Sequence, residues 1–377
     1  MRKIGRKHPG LQVTILSGGQ PIHPQHAELE RGAHIVVGTP GRVLDHLRRR
    51  SLTLRSLQFL VLDEADRMLD MGFEEEMSKI LAAAPKDRQT IFFSATFPES
   101  IGEMSKAYQR DAVRVTADGG GEAAPQIKQQ FYEMGPTSKT LALLWLLRQT
   151  QPKSAIVFCN LKATVDEVAQ SLKEADIIAA PIHGDLEQRE RDKVMAKFRN
   201  LSTQVLVATD VAARGIDIAD LDAVFCYDLP SQPEVYVHRI GRTGRAGKKG
   251  LAISFGTAHE LFKIRAIEEL TRTQIERKTT PPAPQLEAEA SKRILNEDAA
   301  METLYISGGR KDEVRPGDIL GALTGEAGGL DAADIGKIEI HDKFSYVAVS
   351  KKIASTVLNR LRDGRIKGRK FKIEKVR

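Results

Sequence analysis

The stretch Phe59-Leu60-Val61-Leu62-Asp63-Glu64-Ala65-Asp66 places four apolar residues directly before three acidic ones. A short, continuous apolar run predicts a strand that is buried on both faces of a parallel sheet. Open α/β sheets bind ligands at the carboxyl ends of such strands, so Asp63 and Glu64 are predicted to lie at a site. One carboxylate suits Mg²⁺ held through water, and the next suits a group that orients or deprotonates an attacking water. Taken by themselves, these acids are equally typical of a helix start.

Composition limits the class of protein. The chain has 377 residues, 41% of them hydrophobic and 28% charged, which is ordinary for a soluble globular protein of two or three domains. It contains no run of eighteen apolar residues, so no membrane span is predicted. Cys159 and Cys226 both lie in apolar segments and are expected to be buried thiols of a reducing cytoplasm.

Alternating strand and helix patterns run outward from residues 59–66 in both directions and predict parallel, doubly wound α/β sheets. The last strand of the first sheet is expected at Ala112–Val115. A glycine-rich and a proline-rich segment suggest two linkers. The final part follows the order βαββαβ, which small RNA-recognition domains use. The predicted divisions are a domain at 1–118, a linker at 119–126, a domain at 127–278, a linker at 279–300 and a domain at 301–377.

Two turns in the first domain and one strand end offer polar groups. Gly18-Gly19 and Thr39-Pro40-Gly41-Arg42 expose backbone N–H groups and an arginine, which suits sugar-phosphate, although each is a common turn. Ser94-Ala95-Thr96 ends the strand that follows Asp66. Its hydroxyls can hydrogen-bond a neighbouring carboxylate or, more simply, cap the next helix.

The most specific run is His238-Arg239-Ile240-Gly241-Arg242-Thr243-Gly244-Arg245-Ala246-Gly247. Its three arginines, spaced by three, are predicted to keep their side chains free and to converge on one phosphate. Upstream, the segment 209–217 supplies a hydroxyl, a carboxylate and an arginine after another apolar strand.

These motifs together resemble the DEAD-box RNA helicases, which have two RecA-like domains. The resemblance spans nearly all of residues 10–275 and implies ATP and Mg²⁺ as cofactors, with RNA as partner. Asp63 and Glu64 would serve the Mg²⁺ and the hydrolytic water; Asp66, Ser94, Ala95 and Thr96 would couple hydrolysis to domain closure. Asp217, Gly215 and His238 would bind the nucleotide, and Arg242 and Arg245 its phosphates. Residues implied on the RNA are Gly18, Gly19, Thr39, Pro40, Gly41, Arg42, Asn160, Gln188, Arg191, Thr209 and Arg214.

The C-terminal part is similar to that of the DbpA-type branch of the family. Leu304-Tyr305-Ile306-Ser307-Gly308 resembles the first RNA-recognition motif, whereas Phe344-Ser345-Tyr346-Val347-Ala348-Val349 departs from the second. The basic segment, defined as Arg360, Arg362, Arg365, Lys367, Arg369 and Lys370, is therefore the alternative RNA surface. The resemblance implies a structured hairpin of large-subunit ribosomal RNA as target, within a large-subunit precursor, and a role in ribosome assembly.

The chain departs from the family ahead of Gly18, where the phosphate loop, the adenine-reading segment and the first RNA-binding motif of the family are all missing. No Gly-x-x-x-x-Gly-Lys-Ser/Thr phosphate loop occurs in the 377 residues. Two explanations stay open: the reading frame is longer than the sequence beginning at Met1, or the chain is an ATPase-inactive RNA-binding module. Without the strand that precedes this loop, the strand ending at Ser94 is expected to form a sheet edge and Ala112–Val115 to be cut off from its sheet. A DNA helicase is a further alternative.

Overall fold

The computed structural model divides the chain into two compact units, Met1–Asp118 and Gly119–Arg377. The residues it describes are 8–94, 96–116, 126–135, 138–213, 218, 220–244, 247–291, 301–325, 330–363 and 365–376. Each unit is described by itself below.

The described residues of the first unit form two separate parallel strand pairs. Strand β1 (Val13–Leu16) pairs with β2 (Ile35–Gly38), and β3 (Phe59–Leu62) pairs with β4 (Gln89–Phe92). Its helices are α1 (Ile22–Glu30), α2 (Pro40–Arg48), α3 (Ala65–Asp70), α4 (Glu74–Ala83) and α5 (Glu99–Tyr108). The sequence prediction of parallel strands alternating with helices is confirmed for these elements.

Strand β3 is buried on one face, not on both as predicted. Leu60 and Leu62 pack in a core with Met77 of α4 and Ile101 of α5. The alternate residues Phe59 and Val61 are 61% and 51% exposed. The prediction was wrong because, among the described residues, helices cover only one side of the β3–β4 pair, so the apolar run has a period-two burial pattern.

The expected strand at Ala112–Val115 is absent from the described part of the chain. Val113 and Val115 are each 85% exposed, and the segment pairs with no described strand. In the same part of the chain β4 pairs with β3 and with no second neighbour. The strand propensity of residues 112–115 is thus not realised where no neighbouring strand is available, as anticipated for a segment cut off from its sheet.

The second unit is built on a parallel sheet of seven described strands, in the order β11-β5-β10-β9-β6-β8-β7. These are β5 (Gln126–Glu133), β6 (Ala155–Phe158), β7 (Ala179–Ile182), β8 (Val205–Ala208), β9 (Ala223–Cys226), β10 (Lys249–Gly256) and β11 (Glu276–Lys278). The helices are α6 (Lys139–Thr150), α7 (Lys162–Glu174), α8 (Gln188–Arg199), α9 (Asp210–Ala213), α10 (Pro233–Ile240) and α11 (Leu261–Thr271).

Helices cover both faces of this sheet. Val157 of β6 packs with Leu143 of α6, whereas its neighbour Ile156 packs with Met195 of α8 on the opposite face. Strands β6, β8 and β9 are consequently buried at every residue, which explains their continuous apolar sequences. Cys159 and Cys226 are buried free thiols, as expected, and burial raises the pKa of each.

The C-terminal part of the second unit has the predicted βαββαβ order. An antiparallel sheet of order β13-β14-β12-β15 is formed by β12 (Met301–Ile306), β13 (Ile335–Ile340), β14 (Ser345–Ser350) and β15 (Ile373–Lys375). Helices α13 (Pro316–Thr324) and α14 (Ala354–Asp363) pack on one face of it. Because both helices lie on that face, the opposite face of the sheet can pack against another part of the unit.

The proline-rich segment predicted as a linker instead begins a helix. Residues Ala283–Ser291 form α12, which packs on α6 and buries Leu286 completely. Prolines fit the start of a helix because their missing N–H has no partner there. No helix in the described ranges is both long and apolar enough to cross a membrane.

Candidate functional site

The acidic tip of β3 is joined to the tip of β4 through Asp66. The buried Asp66 carboxylate accepts hydrogen bonds from Thr96 N (2.8 Å) and Thr96 Oγ1 (2.7 Å). Ser94 Oγ accepts from Asp66 N at 3.3 Å and donates to Thr96 O at 2.5 Å. Helix α5 begins after Pro98 without a side-chain cap, so the alternative role of the hydroxyls as helix caps is wrong.

Asp63 and Glu64 lie at the surface of this tip. Glu64 adopts a left-handed backbone conformation (φ 53°), and its carboxylate pairs with the Arg67 guanidinium. A non-glycine residue in this region is strained by its Cβ, and such strain concentrates at functional sites. The arrangement presents two carboxylates to solvent while Asp66 is fully engaged inside the unit.

The two turns predicted to grip sugar-phosphate are adjacent. Thr39 N donates to Leu16 O at 3.0 Å, so the start of α2 is fixed to the end of β1, just before Gly18-Gly19. Gly19 has φ 72°, and Thr39 and Gly41 are exposed. Arg42 Nη1 donates to Gln20 O at 2.9 Å and to Gln25 Oε1 at 3.0 Å.

Arg239 does not have the free side chain that the spacing predicted. It is 1% exposed, and its Nε and Nη2 both donate to the Asp210 carboxylate at 2.7 Å. Nη1 donates to Asp228 O (2.6 Å) and Nη2 to Asn160 Oδ1 (2.8 Å). The guanidinium therefore ties together the loops after β6, β8 and β9. This is where strand order reverses, the place at which open sheets bind ligands.

The remaining predicted residues of the second unit lie around the same edge of the sheet or on α8. Arg242 Nη1 donates to Ile218 O at 3.3 Å, and Gln188 Nε2 donates to Asp192 Oδ1 at 2.8 Å. Arg191 Nη2 donates to Ala212 O at 3.4 Å. Thr209 is buried, and His238 is half-buried on α10. Ala95, Arg214, Gly215, Asp217, Arg245 and the side chain of Arg362 lie outside the described residues.

The helix-free face of the C-terminal sheet packs against α8 of the parallel-sheet part. Tyr346 is 3% exposed and contacts Ala196, while Tyr305 and Phe344 pack beside it. Thr303 Oγ1 lies 2.8 Å from Ser202 Oγ and accepts from Asn200 Nδ2 at 3.3 Å. The aromatic face that single-stranded RNA would use for stacking is thus largely occupied by the protein itself.

The pKa of Tyr346 provides a test of this contact. Burial raises it from 10.0 to about 12, with Asp192 of α8 adding to the effect. The contact therefore contributes stability in full below about pH 10 and loses that contribution as the pH rises from about 10 to about 12. We expect Ala196→Arg to lower the pKa of Tyr346 toward 10, measured by NMR titration of ¹³C-labelled tyrosine.

The matched control for this substitution is Ala163→Arg at an exposed position of α7, which should leave the titration of Tyr346 unchanged. A midpoint that stays near 12 in Ala196→Arg would contradict the assigned packing.

The basic segment lies at the end of α14 and in the turn that follows. Arg365, Lys367, Arg369 and Lys370 are exposed around the buried Ile366. Lys367 Nζ is 3.0 Å from Glu313 Oε2, and its backbone is left-handed (φ 52°). Cations presented by one short turn form a compact surface suited to phosphates.

Three family models match the chain in order. They are described as "DEAD/DEAH box helicase" (residues 1–104), "Helicase conserved C-terminal domain" (138–247) and "DbpA RNA binding domain" (303–375). The matches define the class as DEAD-box RNA helicases, and they confirm the predicted pair of RecA-like domains followed by an RNA-binding domain.

Two curated relatives narrow the class. The ATP-dependent RNA helicase DbpA of Escherichia coli is 45% identical over 373 residues, covering 99% of this chain and 79% of the relative. The DbpA of Bacillus subtilis is 37% identical, with 97% and 79% covered. The chain belongs to the DbpA family of ATP-dependent RNA helicases.

Two solved structures are similar in fold over about three quarters of this chain. Saccharomyces cerevisiae Dbp5 bound to RNA and ADP BeF3 is similar with a TM-score of 0.63 and 31% identity, covering 76% of this chain and 75% of that one. Mss116p bound to single-stranded RNA and AMP-PNP gives a TM-score of 0.63 and 25% identity, with 76% and 61% covered.

Sequence reasoning missed several polar residues around these sites. Gln25 of α1 and His46 of α2 are buried and share a hydrogen bond, and Gln25 also accepts one from Arg42. Thr303, Asn200 and Ser202 form the polar part of the contact between the C-terminal sheet and the end of α8. None lies in a recognisable motif, and an isolated Gln, His or Thr on a helix or strand is not distinctive. Their partners come from distant sequence positions.

Proposed function

We propose that this chain separates short RNA duplexes close to a structured hairpin of large-subunit ribosomal RNA, within a large-subunit precursor, during ribosome assembly in the cytoplasm. The observation that supports it most is the C-terminal DbpA RNA-binding domain. Arg365, Lys367, Arg369 and Lys370 of its basic segment are exposed, whereas its aromatic face packs on α8. The two buried free thiols are consistent with a reducing compartment.

The residues present fit part of an ATP and Mg²⁺ site. Asp63 presents an exposed carboxylate of the hard oxygen type that Mg²⁺ prefers, and Mg²⁺ commonly uses one or two carboxylates together with water and phosphates. The described residues contain no cluster of three or more His, Cys, Asp or Glu side chains that could hold a metal. Bound Mg²⁺ would neutralise charge on the phosphates. The Gly-x-x-x-x-Gly-Lys-Ser/Thr cradle is not among these 377 residues.

The proposed roles of the protein side chains follow from their positions. Glu64, exposed and held by Arg67, would orient the hydrolytic water. Asp66 would transmit the state of that tip to Thr96, since the two share hydrogen bonds. Arg242 and Arg245 would contact the phosphates, and Asp217, Gly215 and His238 the rest of the nucleotide. Arg239 would hold the loops in place without contacting the nucleotide.

Residues proposed to contact the RNA backbone come from both units. They are Gly18, Gly19, Thr39, Pro40, Gly41, Arg42, Asn160, Gln188, Arg191, Thr209 and Arg214, together with Arg362, Arg365 and Lys367 in the C-terminal domain. Backbone N–H groups, arginines and hydroxyls contact phosphate and sugar without reading bases. The solved structures of Dbp5 and Mss116p similarly contain RNA and an ATP analogue.

The proposal is tested by binding residues 1–377 to hairpin fragments that tile the large-subunit ribosomal RNA, at one fixed salt concentration. We expect one hairpin to bind at least about tenfold more tightly than the others, because a dedicated domain must discriminate against abundant competing RNA. The DNA version of that hairpin is the control and should bind more weakly, since it lacks the 2′-hydroxyls. Equal affinity for every fragment, or for the DNA, would contradict the proposal.

A further inference from the structure

The first unit contains a buried polar network behind its two phosphate-gripping turns. Its central residue is Gln25 of α1, which is 6% exposed, and its second member is His46 of α2, which is fully buried. Gln25 Oε1 accepts from Arg42 Nη1 at 3.0 Å and lies 3.1 Å from His46 Nε2. Gln25 Nε2 donates to Ser17 O at 3.2 Å. One side chain therefore connects the Gly18-Gly19 turn with Arg42.

The chemistry of the partners fixes the orientation of the Gln25 amide and the position of a proton on His46. Arginine can donate but cannot accept, and the Ser17 carbonyl can accept but cannot donate, so the Gln25 amide has one possible orientation. Because Gln25 Oε1 is an acceptor, His46 Nε2 must carry the proton. His46 Nδ1 lies 2.7 Å from Ser51 Oγ, whose hydroxyl is also within 3.3 Å of His46 O. Burial also lowers the pKa of His46, which favours the neutral imidazole.

The network leaves little freedom to Arg42. Its Nη1 has two acceptors, Gln25 Oε1 and Gln20 O, and the side chain is half-buried. Buried hydrogen-bond networks whose members are all satisfied hold their groups rigidly. A long arginine otherwise loses considerable side-chain entropy when it binds a phosphate, and prior ordering reduces that loss.

We propose that Gln25, supported by His46, is a positioning residue that holds the Gly18-Gly19 turn and the Arg42 guanidinium at a fixed separation, so that both contact the same single-stranded RNA backbone. The inference rests on the proposed RNA-binding role of these turns. It adds a residue that does not itself contact RNA: Gln25 is buried, and its amide is used within the protein. Its effect on RNA must therefore pass through Arg42 and the turn.

The test is a double-mutant cycle on residues 1–377 with Gln25→Met, Arg42→Ala and both together. Affinity is measured for a fluorescent, unstructured U10 RNA while unlabelled hairpin RNA saturates the C-terminal domain. We expect Gln25→Met and Arg42→Ala each to weaken U10 binding about tenfold, the size of one charge-assisted hydrogen bond. The double variant should be no weaker than Arg42→Ala within about twofold, because coupled residues are not additive.

Gln12→Met is the matched control, since Gln12 is exposed in the same unit, and it should bind U10 like the unmodified chain. If Arg42→Ala does not weaken U10 binding, the proposed RNA-binding role of the turn is wrong. If Arg42→Ala weakens it but Gln25→Met does not, or if the double variant shows the product of the two effects, the positioning role is overturned. The melting temperatures of Gln25→Met and Gln12→Met should be equal. Weaker U10 binding by Gln25→Met at an equal melting temperature shows that the variant has lost the positioning of Arg42 and not its folded structure.

Discussion

Replacing Arg239 by Met is expected to destabilise the second unit by about 3–5 kcal/mol, the usual cost of removing one partner of a buried ion pair. The guanidinium is 1% exposed and joins Asp210, Asp228 and Asn160 in one hydrogen-bonded group. Without it, the partly buried Asp210 carboxylate loses both donors that neutralise it. Three loops also lose the group that connects them. The quantity to measure is the free energy of unfolding in urea. Unfolding is monitored through the fluorescence of Trp145, the single tryptophan of the chain.

Two controls make the interpretation of that result specific. Arg265→Met removes an exposed arginine from α11 and should change the free energy by no more than about 0.5 kcal/mol. Adding Asp210→Asn to Arg239→Met should recover part of the loss, since the unpaired charge is then gone. If Arg239→Met were as stable as Arg265→Met, the guanidinium would not have the structural role assigned to it.

Reversing the charge at Arg362, Arg365 and Lys367 together is expected to weaken binding of the selected ribosomal hairpin on the order of a hundredfold near 0.1 M salt. Binding to phosphates releases counterions, so the loss also appears in the salt dependence. Removing about three phosphate contacts should lower the slope of log K against log salt by roughly 2–3. Titrations of residues 1–377 at several salt concentrations measure both quantities.

A variant with the same change in net charge distinguishes a local from a general electrostatic effect. Charge reversal at Lys153, Lys173 and Arg265, which are exposed in the parallel-sheet part of the same unit, should weaken hairpin binding far less. Unchanged affinity in the Arg362, Arg365 and Lys367 variant would instead indicate that the RNA binds to the sheet that carries Tyr305. It would also require that sheet to leave α8, because Tyr346 is buried there.

The order and type of most elements could be predicted from the sequence, because apolar period and turn residues act locally. Strands β6, β8 and β9 have continuous apolar sequences, and the chain folds them with helices on both faces as that pattern predicts. The same reasoning failed for β3. A run of apolar residues shows which side chains a strand could bury, but not whether other elements cover them. Phe59 and Val61 are exposed among the described residues.

The candidate sites were predictable where a motif concentrates unusual residues at short range. Asp63, Glu64 and Asp66 follow a strand directly. For the hydroxyls of Ser94 and Thr96, the sequence allowed either a contact with a carboxylate or a helix cap, and Thr96 donates to the Asp66 carboxylate. Spacing could not show which arginine of the 238–247 run is buried. Arg239 lies on the inner side of α10, and its three partners come from loops up to 79 residues away in sequence.

The sequence by itself determined the class of this protein, because the chemistry of the DEAD-box and arginine motifs resides in residues that are adjacent in the chain. The tertiary structure decided how those residues are held and which surfaces stay available. The Gln25–His46 network, the Arg239 guanidinium and the contact of Tyr346 with α8 each join distant segments. Such contacts arise when the sheets assemble and have no periodic or local signature, so they become visible when the chain is folded.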